Sequence, residues 1–206
     1  MRITQRTGKS AFTLIELMAV ITIIVILAGL VVGGLGFVND RQAKNKAQVQ
    51  MALISKALED YKLDTGTYPP TTDKTGNLTT AAGTSTSSIL FKALYWDSDN
   101  DGIGVPADTD QKIYLPDLDP LTSKQGWTSA TPAPSAATTI VDPWGNQYCY
   151  RTAFGTPPAT GTTPVNSSTQ NPDFDLWSMG KNGKSNAGTT PTAMNDTNNK
   201  DDIKNF

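Results

Sequence analysis

Residues 11–18, Ala11-Phe12-Thr13-Leu14-Ile15-Glu16-Leu17-Met18, open an apolar run that carries no charge from Leu17 to Val38. A helix over those 22 residues rises roughly 33 Å, about the hydrocarbon core of a bilayer. Arg2, Arg6 and Lys9 precede the run with no acid among them. Positive charge ahead of an apolar span holds that end in the cytoplasm and sends the rest of the chain across. A cleaved secretory signal would have a shorter core and a small-residue exit, and no A-x-A site follows Val38. A buried core helix fits poorly, because the remaining sequence is too polar to wrap it. A membrane anchor fits, except that Glu16 lies inside the apolar surroundings. An ionisable group in a spanning helix costs on the order of 2.5–3.5 kcal/mol near the centre and less near an end. Glu16 therefore either reaches water at the interface or meets a cation.

Composition narrows the field. The chain has 206 residues, 37% hydrophobic and 17% charged, with 17 Lys and Arg against 19 Asp and Glu. A net charge of −2 provides no basic field and argues against nucleic acid as a partner. There is no His, which removes the commonest general base, the usual zinc ligand and every His-dependent nucleophile arrangement. The single Cys makes no internal disulfide, and Cys149 reads as a small core side chain in a strand.

The block Ala11–Met18 resembles the processing motif of type IV pilins and type II secretion pseudopilins. The resemblance implies a prepilin leader over 1–11, cut between Ala11 and Phe12 by a prepilin peptidase that methylates the new amino terminus. It also implies that Glu16 neutralises the amino terminus of a neighbouring subunit as a filament assembles. In a lipid-like filament core the two charges are each costly alone and far less so together. The residue before the cut is Gly in most of the family and Ala11 here. Cleavage takes three positive charges from the chain, leaving a net charge of −5. Gly29 and Gly33 form a small-xxx-small pair through which helices approach closely, within a transmembrane and assembly helix over 12–38.

The helix is predicted to continue. Ala43, Ala47, Met51, Ile54, Leu58 and Tyr61 recur at steps of three and four, one face of an amphipathic helix, and Gly66 with Pro69-Pro70 ends it. One helix of about fifty residues follows, apolar all round in its first half. Beyond it, Thr71–Ser88, Thr122–Thr139 and Phe154–Pro172 read as Ser/Thr-rich loops, and Ile89–Tyr95 as a short helix. Asp142-Pro143-Trp144-Gly145 has the residues of a type I turn and leads into a strand over Asn146–Tyr150, with Tyr148 and Tyr150 on one face. A second strand is predicted over Phe174–Met179. The fold class is α+β: a long amino-terminal helix packed on a small antiparallel sheet with long loops, the head spanning 39–206.

Asp64–Pro69, Asp142–Tyr150 and Phe174–Gly180 resemble the matching blocks of the major (G-type) pseudopilins. That resemblance implies calcium in the C-terminal loop, held by the Met179 carbonyl, Asn182, Asp201 and Asp202, with Asp196 as a substitute. Asn182 stands where the family has Asp, and the connection from Gly183 to Lys200 is longer. A second candidate is independent of the family. Asp97, Asp99, Asp101 and Gly102 follow the D-x-D-x-D-G spacing of a calcium loop, with the Ile103 carbonyl and Asp108 as further ligands. An Asp-rich turn without metal is the alternative reading there.

The resemblance implies a structural subunit of a type II secretion pseudopilus and no enzyme. It places the chain as a single-pass inner-membrane protein with a periplasmic head. It implies a homo-oligomeric filament contacting an inner-membrane assembly platform and minor pseudopilins. A type IV pilin for adhesion, motility or DNA uptake is the nearest alternative, although such pilins usually carry a C-terminal disulfide. A membrane-tethered enzyme or carbohydrate-binding module needs neither Glu16 nor a cleavable basic stub.

Overall fold

The computed structural model describes residues 12–71, 86–99, 101, 103–104, 107, 110–118, 120–121, 126–129, 134–135, 137–152, 169–185 and 197–206, with backbone alone at 31–35 and 37. The chain divides into two compact units, Met1–Gln42 and Ala43–Phe206. Helix α1, Leu14–Thr65, contributes to both. Gly66 ends it as the sequence predicts: its φ is +81°, and its N–H donates to the Lys62 carbonyl at 2.8 Å.

In the first unit every described side chain from Phe12 to Leu30 is exposed. Among the described residues no helix is long and apolar enough to cross a membrane. The expected span over 12–38 includes 31–35 and 37, whose side chains lie outside the described residues.

In the second unit the α1 stripe is the floor of the core. Ala47, Met51, Ile54 and Leu58 are buried, and Tyr61 packs at the edge. Each fully buried Leu, Ile or Phe contributes roughly 1.5–3 kcal/mol. Helix α2, Thr86–Phe91, runs on into a π-type segment, Lys92–Trp96, and delivers Leu90, Phe91 and Leu94 to the same core. The loop predicted over Thr71–Ser88 is thus corrected at its end, where Thr86–Ser88 are helical and buried. Their hydroxyls satisfy the backbone there. Ser87 Oγ donates to the Ile140 carbonyl at 2.6 Å and accepts from its N–H at 2.9 Å, and Thr86 Oγ1 accepts from the Tyr150 N–H.

The sheet is antiparallel, in the order β1 (Cys149–Thr152), β2 (Phe174–Ser178), β3 (Ile203–Lys204). The first strand starts later than predicted, because Gln147 pairs singly with Val141. Alternation sends Tyr148, Tyr150, Phe174 and Leu176 into the core with α1. Tyr148 donates to Gln50 Oε1 at 2.9 Å, and Tyr150 to the Pro69 carbonyl at 3.0 Å. Cys149, Trp177 and Met179 form a second cluster with Phe206. Arg151 stands opposite Asp175 in the β1–β2 register. The two side chains are 2% and 0% exposed, with Nη2 2.6 Å and Nε 2.8 Å from one carboxylate oxygen. The Gln170 and Asn171 N–H groups also donate to Asp175.

Candidate functional site at the processed end and the C-terminal loop

The amino end of α1 carries a reciprocal cap. Glu16 Oε2 accepts from the Thr13 N–H at 2.9 Å and the Thr13 hydroxyl at 2.8 Å, while Thr13 Oγ1 accepts from the Glu16 N–H at 3.3 Å. This is the T-x-x-E capping box, a local signal that Thr13 and Glu16 carry in the sequence itself. It aims the carboxylate back towards Phe12, which is 87% exposed. Ala11 lies outside the described residues. At Gly29 nothing stands within 4 Å of where a Cβ would be, so that face of the helix is open to close approach. Gly33 lies in the same helix, with its backbone alone described.

At the other end of the chain, the loop after β2 folds against the tail. Asn182 N–H donates to Asp201 Oδ2 at 2.7 Å, and Asn182 Nδ2 to the Asn198 carbonyl at 3.0 Å. Ser185 Oγ donates to Asp202 Oδ2 at 2.6 Å. Gly180, at φ +63°, passes so close to the Asp201 backbone that a Cβ would stand 2.4 Å from its carbonyl oxygen. The structure thus joins Asn182 to Asp201 and Ser185 to Asp202, and buries the Met179 side chain. Asp196 lies outside the described residues.

Asp202 tests whether this set fits a cation. Its Oδ1 is buried and has no hydrogen-bond partner among the described residues. Lys204 Nζ reaches only within 3.8 Å of the other oxygen. Burial pushes the carboxyl up to about 6, against hydrogen bonding from Ser185 and the charge of Lys204. A buried carboxylate oxygen without a donor, among hard oxygen ligands, fits calcium. Because the folded chain holds this proton more tightly than the unfolded one, its stabilising effect is complete below pH about 3.8. It is lost as pH rises through about 6. In chelator, the Asp202 carboxyl resonance is expected to titrate near pH 6; a midpoint near 4 would show an ordinary exposed acid.

Asp97, Asp99 and Asp101 also converge, with one carboxylate oxygen of each within 4.8 Å of the others. Asp97 is buried and pairs with Lys92 at 3.2 Å, so a lysine already supplies one positive charge. Asp101 Oδ1 accepts from the Ile103 N–H at 2.7 Å. Gln111 closes the loop: its Oε1 accepts from the Ser98 N–H and its Nε2 donates to the Trp96 carbonyl. Asp108 and Gly102 lie outside the described residues.

A capped apolar helix with an acid beside its amino end thus precedes a small α+β head in the chain. Two family models match: the prokaryotic N-terminal methylation motif over residues 6–32, and type II secretion system protein G over residues 37–104. The chain is 30% identical over 180 residues to type II secretion system core protein G of Pseudomonas aeruginosa, covering 87% of this chain and 89% of that one. It is 30% identical over 151 residues to the protein of the same name in Escherichia coli K12, covering 72% and 74%. With the Aeromonas hydrophila protein the identity is 42% over 67 residues, 32% of this chain and 47% of that one. No solved structure matches significantly. The chain belongs to the type II secretion system protein G family, the major pseudopilins.

It is accordingly a structural subunit of a pseudopilus and not an enzyme, and these relatives do not favour the type IV pilin alternative. Family and motif together imply prepilin processing and a membrane-anchored pseudopilus.

Proposed function

We propose that the chain is cut between Ala11 and Phe12 by a prepilin peptidase on the cytoplasmic face and N-methylated at Phe12. Before the cut the chain is anchored in the inner membrane as a single-pass protein with its head in the periplasm, the positive leader holding the amino end inside. Subunits leave the bilayer by pairing Glu16 with the amino terminus of a neighbour. They stack through the Gly29–Gly33 face into a homo-oligomeric filament on an inner-membrane assembly platform, with minor pseudopilins, and help drive export of folded proteins. The observation that carries this reading is the Glu16 carboxylate, held 2.9 Å from the Thr13 nitrogen and so facing the end that cleavage exposes. Coexpression with a prepilin peptidase tests it. The mature mass is expected to correspond to an N-methylated chain starting at Phe12, and a chain that keeps residues 1–11 contradicts it.

Calcium is part of the same reading. Asn182, Asp201 and Asp202, with the Met179 carbonyl, are the proposed ligands in the C-terminal loop, supported by the orphaned Asp202 oxygen. Asp97, Asp99 and Asp101, completed by Asp108 and the Ile103 carbonyl, are a second proposed site, supported by the convergence of their carboxylates. Bound calcium supplies positive charge to these acids and stabilises the folded head, because a ligand that binds only the folded form shifts the equilibrium towards it. At a free concentration of 100 Kd that amounts to about 2.7 kcal/mol. Calorimetric titration of the detergent-solubilised full chain is expected to give heat and a calcium-dependent rise in Tm. Absence of both removes the two sites.

A further inference from the structure

The turn Asp142–Gly145 and the C-terminal loop are far apart in sequence and bolted together in space. Asp142 Oδ1 accepts from the Trp144 and Asn146 N–H groups at 3.0 and 2.8 Å, which fixes the turn. Asp142 Oδ2 accepts from Ser178 Oγ at 2.5 Å, and Ser178 Oγ accepts from the Gly180 N–H at 3.0 Å. Asn146 then reaches across. Its Nδ2 donates to the Gly180 carbonyl at 2.7 Å, and its Oδ1 lies 2.9 Å from where a Cβ on Gly183 would stand. Gly180 and Gly183 both have φ near +60° and flank Asn182. Asp201 closes on Gly180 as well, through its backbone carbonyl and a carboxylate oxygen, and holds Asn182. The ligand loop is thus gripped by Asn146 and by the tail.

Building on the C-terminal calcium reading, we propose that Asn146 is a positioning residue for that cation site: its amide, fixed by the Asp142 turn, sets the Gly180–Gly183 path before metal arrives. A loop already shaped for its ligand loses less order on binding, so removing the brace lowers affinity. Groups that orient metal ligands without touching the metal are typically worth 10–100-fold in affinity. Asn146 contributes no ligand atom in this scheme, and its essential feature is an N–H donor aimed at the Gly180 oxygen.

The decisive comparison is Asn146→Asp, which keeps the shape, replaces the donor with an acceptor and adds a negative charge near a cation site. If charge were what mattered, calcium would bind more tightly; if the donor matters, affinity falls. Calcium titrations use full-length chain in detergent with Asp99→Asn and Asp101→Asn, so that only the C-terminal site reports. Asn146→Asp is expected to lower affinity at least about tenfold. Asn146→Gln, which retains an amide donor, is expected to stay within about threefold, a rescue that lost packing alone would not give. Should the aspartate variant fail to fold in chelator, Asn146→Ser, neutral and too short to reach Gly180, carries the same expected loss. Equal or tighter binding by the Asp or Ser variant overturns the role of Asn146 alone. No calcium binding by the parent chain overturns that role together with the metal reading beneath it.

Discussion

Glu16→Ala is expected to leave cleavage and methylation at Phe12 intact and to reduce incorporation into pseudopili by about a hundredfold or more. Removing one partner of a buried ion pair typically costs about 3–5 kcal/mol, because the other charge is left uncompensated, and each 1.4 kcal/mol is tenfold in an equilibrium. Glu16 also caps its own helix through Thr13, so a loss in the Ala variant has two physical sources. Losing a cap costs typically about 1 kcal/mol, too little for the full effect. Glu16→Gln separates the two. Gln serves a capping box as Glu does, but it carries no charge. The account expects Gln to fail almost as fully as Ala. Incorporation of the Gln variant at the parental level, measured by shearing pili from cells and quantifying the subunit, would reduce Glu16 to a helix cap.

Asp175→Ala is expected to produce the largest loss of stability in the head. Asp175 is fully buried, binds Arg151 through two nitrogens and accepts from two N–H groups of the segment before β2. Its removal takes the carboxylate from a buried guanidinium and from two amide donors, at a cost of about 3–5 kcal/mol. Domains of this kind have about 5–15 kcal/mol in total, so the variant lies near the edge of folding. The urea midpoint is expected to fall by about 2 M for a typical slope. Replacing both partners with apolar residues, Arg151→Met with Asp175→Leu, is expected to recover much of the loss, because neither charge is then buried alone. A midpoint unchanged by Asp175→Ala would mean that the pair is solvated in solution.

What could be read from the sequence follows from the range of the forces involved. Helix α1 was legible in its second half because the Ala47–Leu58 stripe and Gly66 are local signals, and the structure buries the one and ends the helix at the other. The Asp142–Gly145 turn was legible for the same reason: Gly145, at φ +88°, donates to the Asp142 carbonyl at 2.9 Å. The Thr13 cap is equally local but is not what the sequence shows first, because its T-x-x-E spacing lies within an apolar run that reads as a span and not as a helix start. The start of β1 differs from the expectation because its first pairing, Cys149 against Trp177, lies far off in sequence, while Gln147 pairs singly with Val141. The third strand is two residues long, too short to show alternation. Thr86 and Ser87 looked like loop by composition, and only their distant bonds to Tyr150 and Ile140 explain their burial. At the C-terminal loop the acids were legible through resemblance, but Ser185 and Asn146 were not, since neither carries a charge and both reach the site through the fold.

In the assembled filament Glu16 of one subunit is expected to meet the amino terminus of another. Solid-state NMR on assembled pseudopili tests this directly, using filaments grown from two populations, one 15N-labelled and the other 13C-labelled. A correlation is expected between the Phe12 amino nitrogen of one population and the Glu16 carboxylate carbon of the other, at about 4 Å. Absence of that correlation in filaments that form normally, with a uniformly double-labelled sample showing the Glu16 carboxylate beside the Thr13 nitrogen alone, would overturn the pairing.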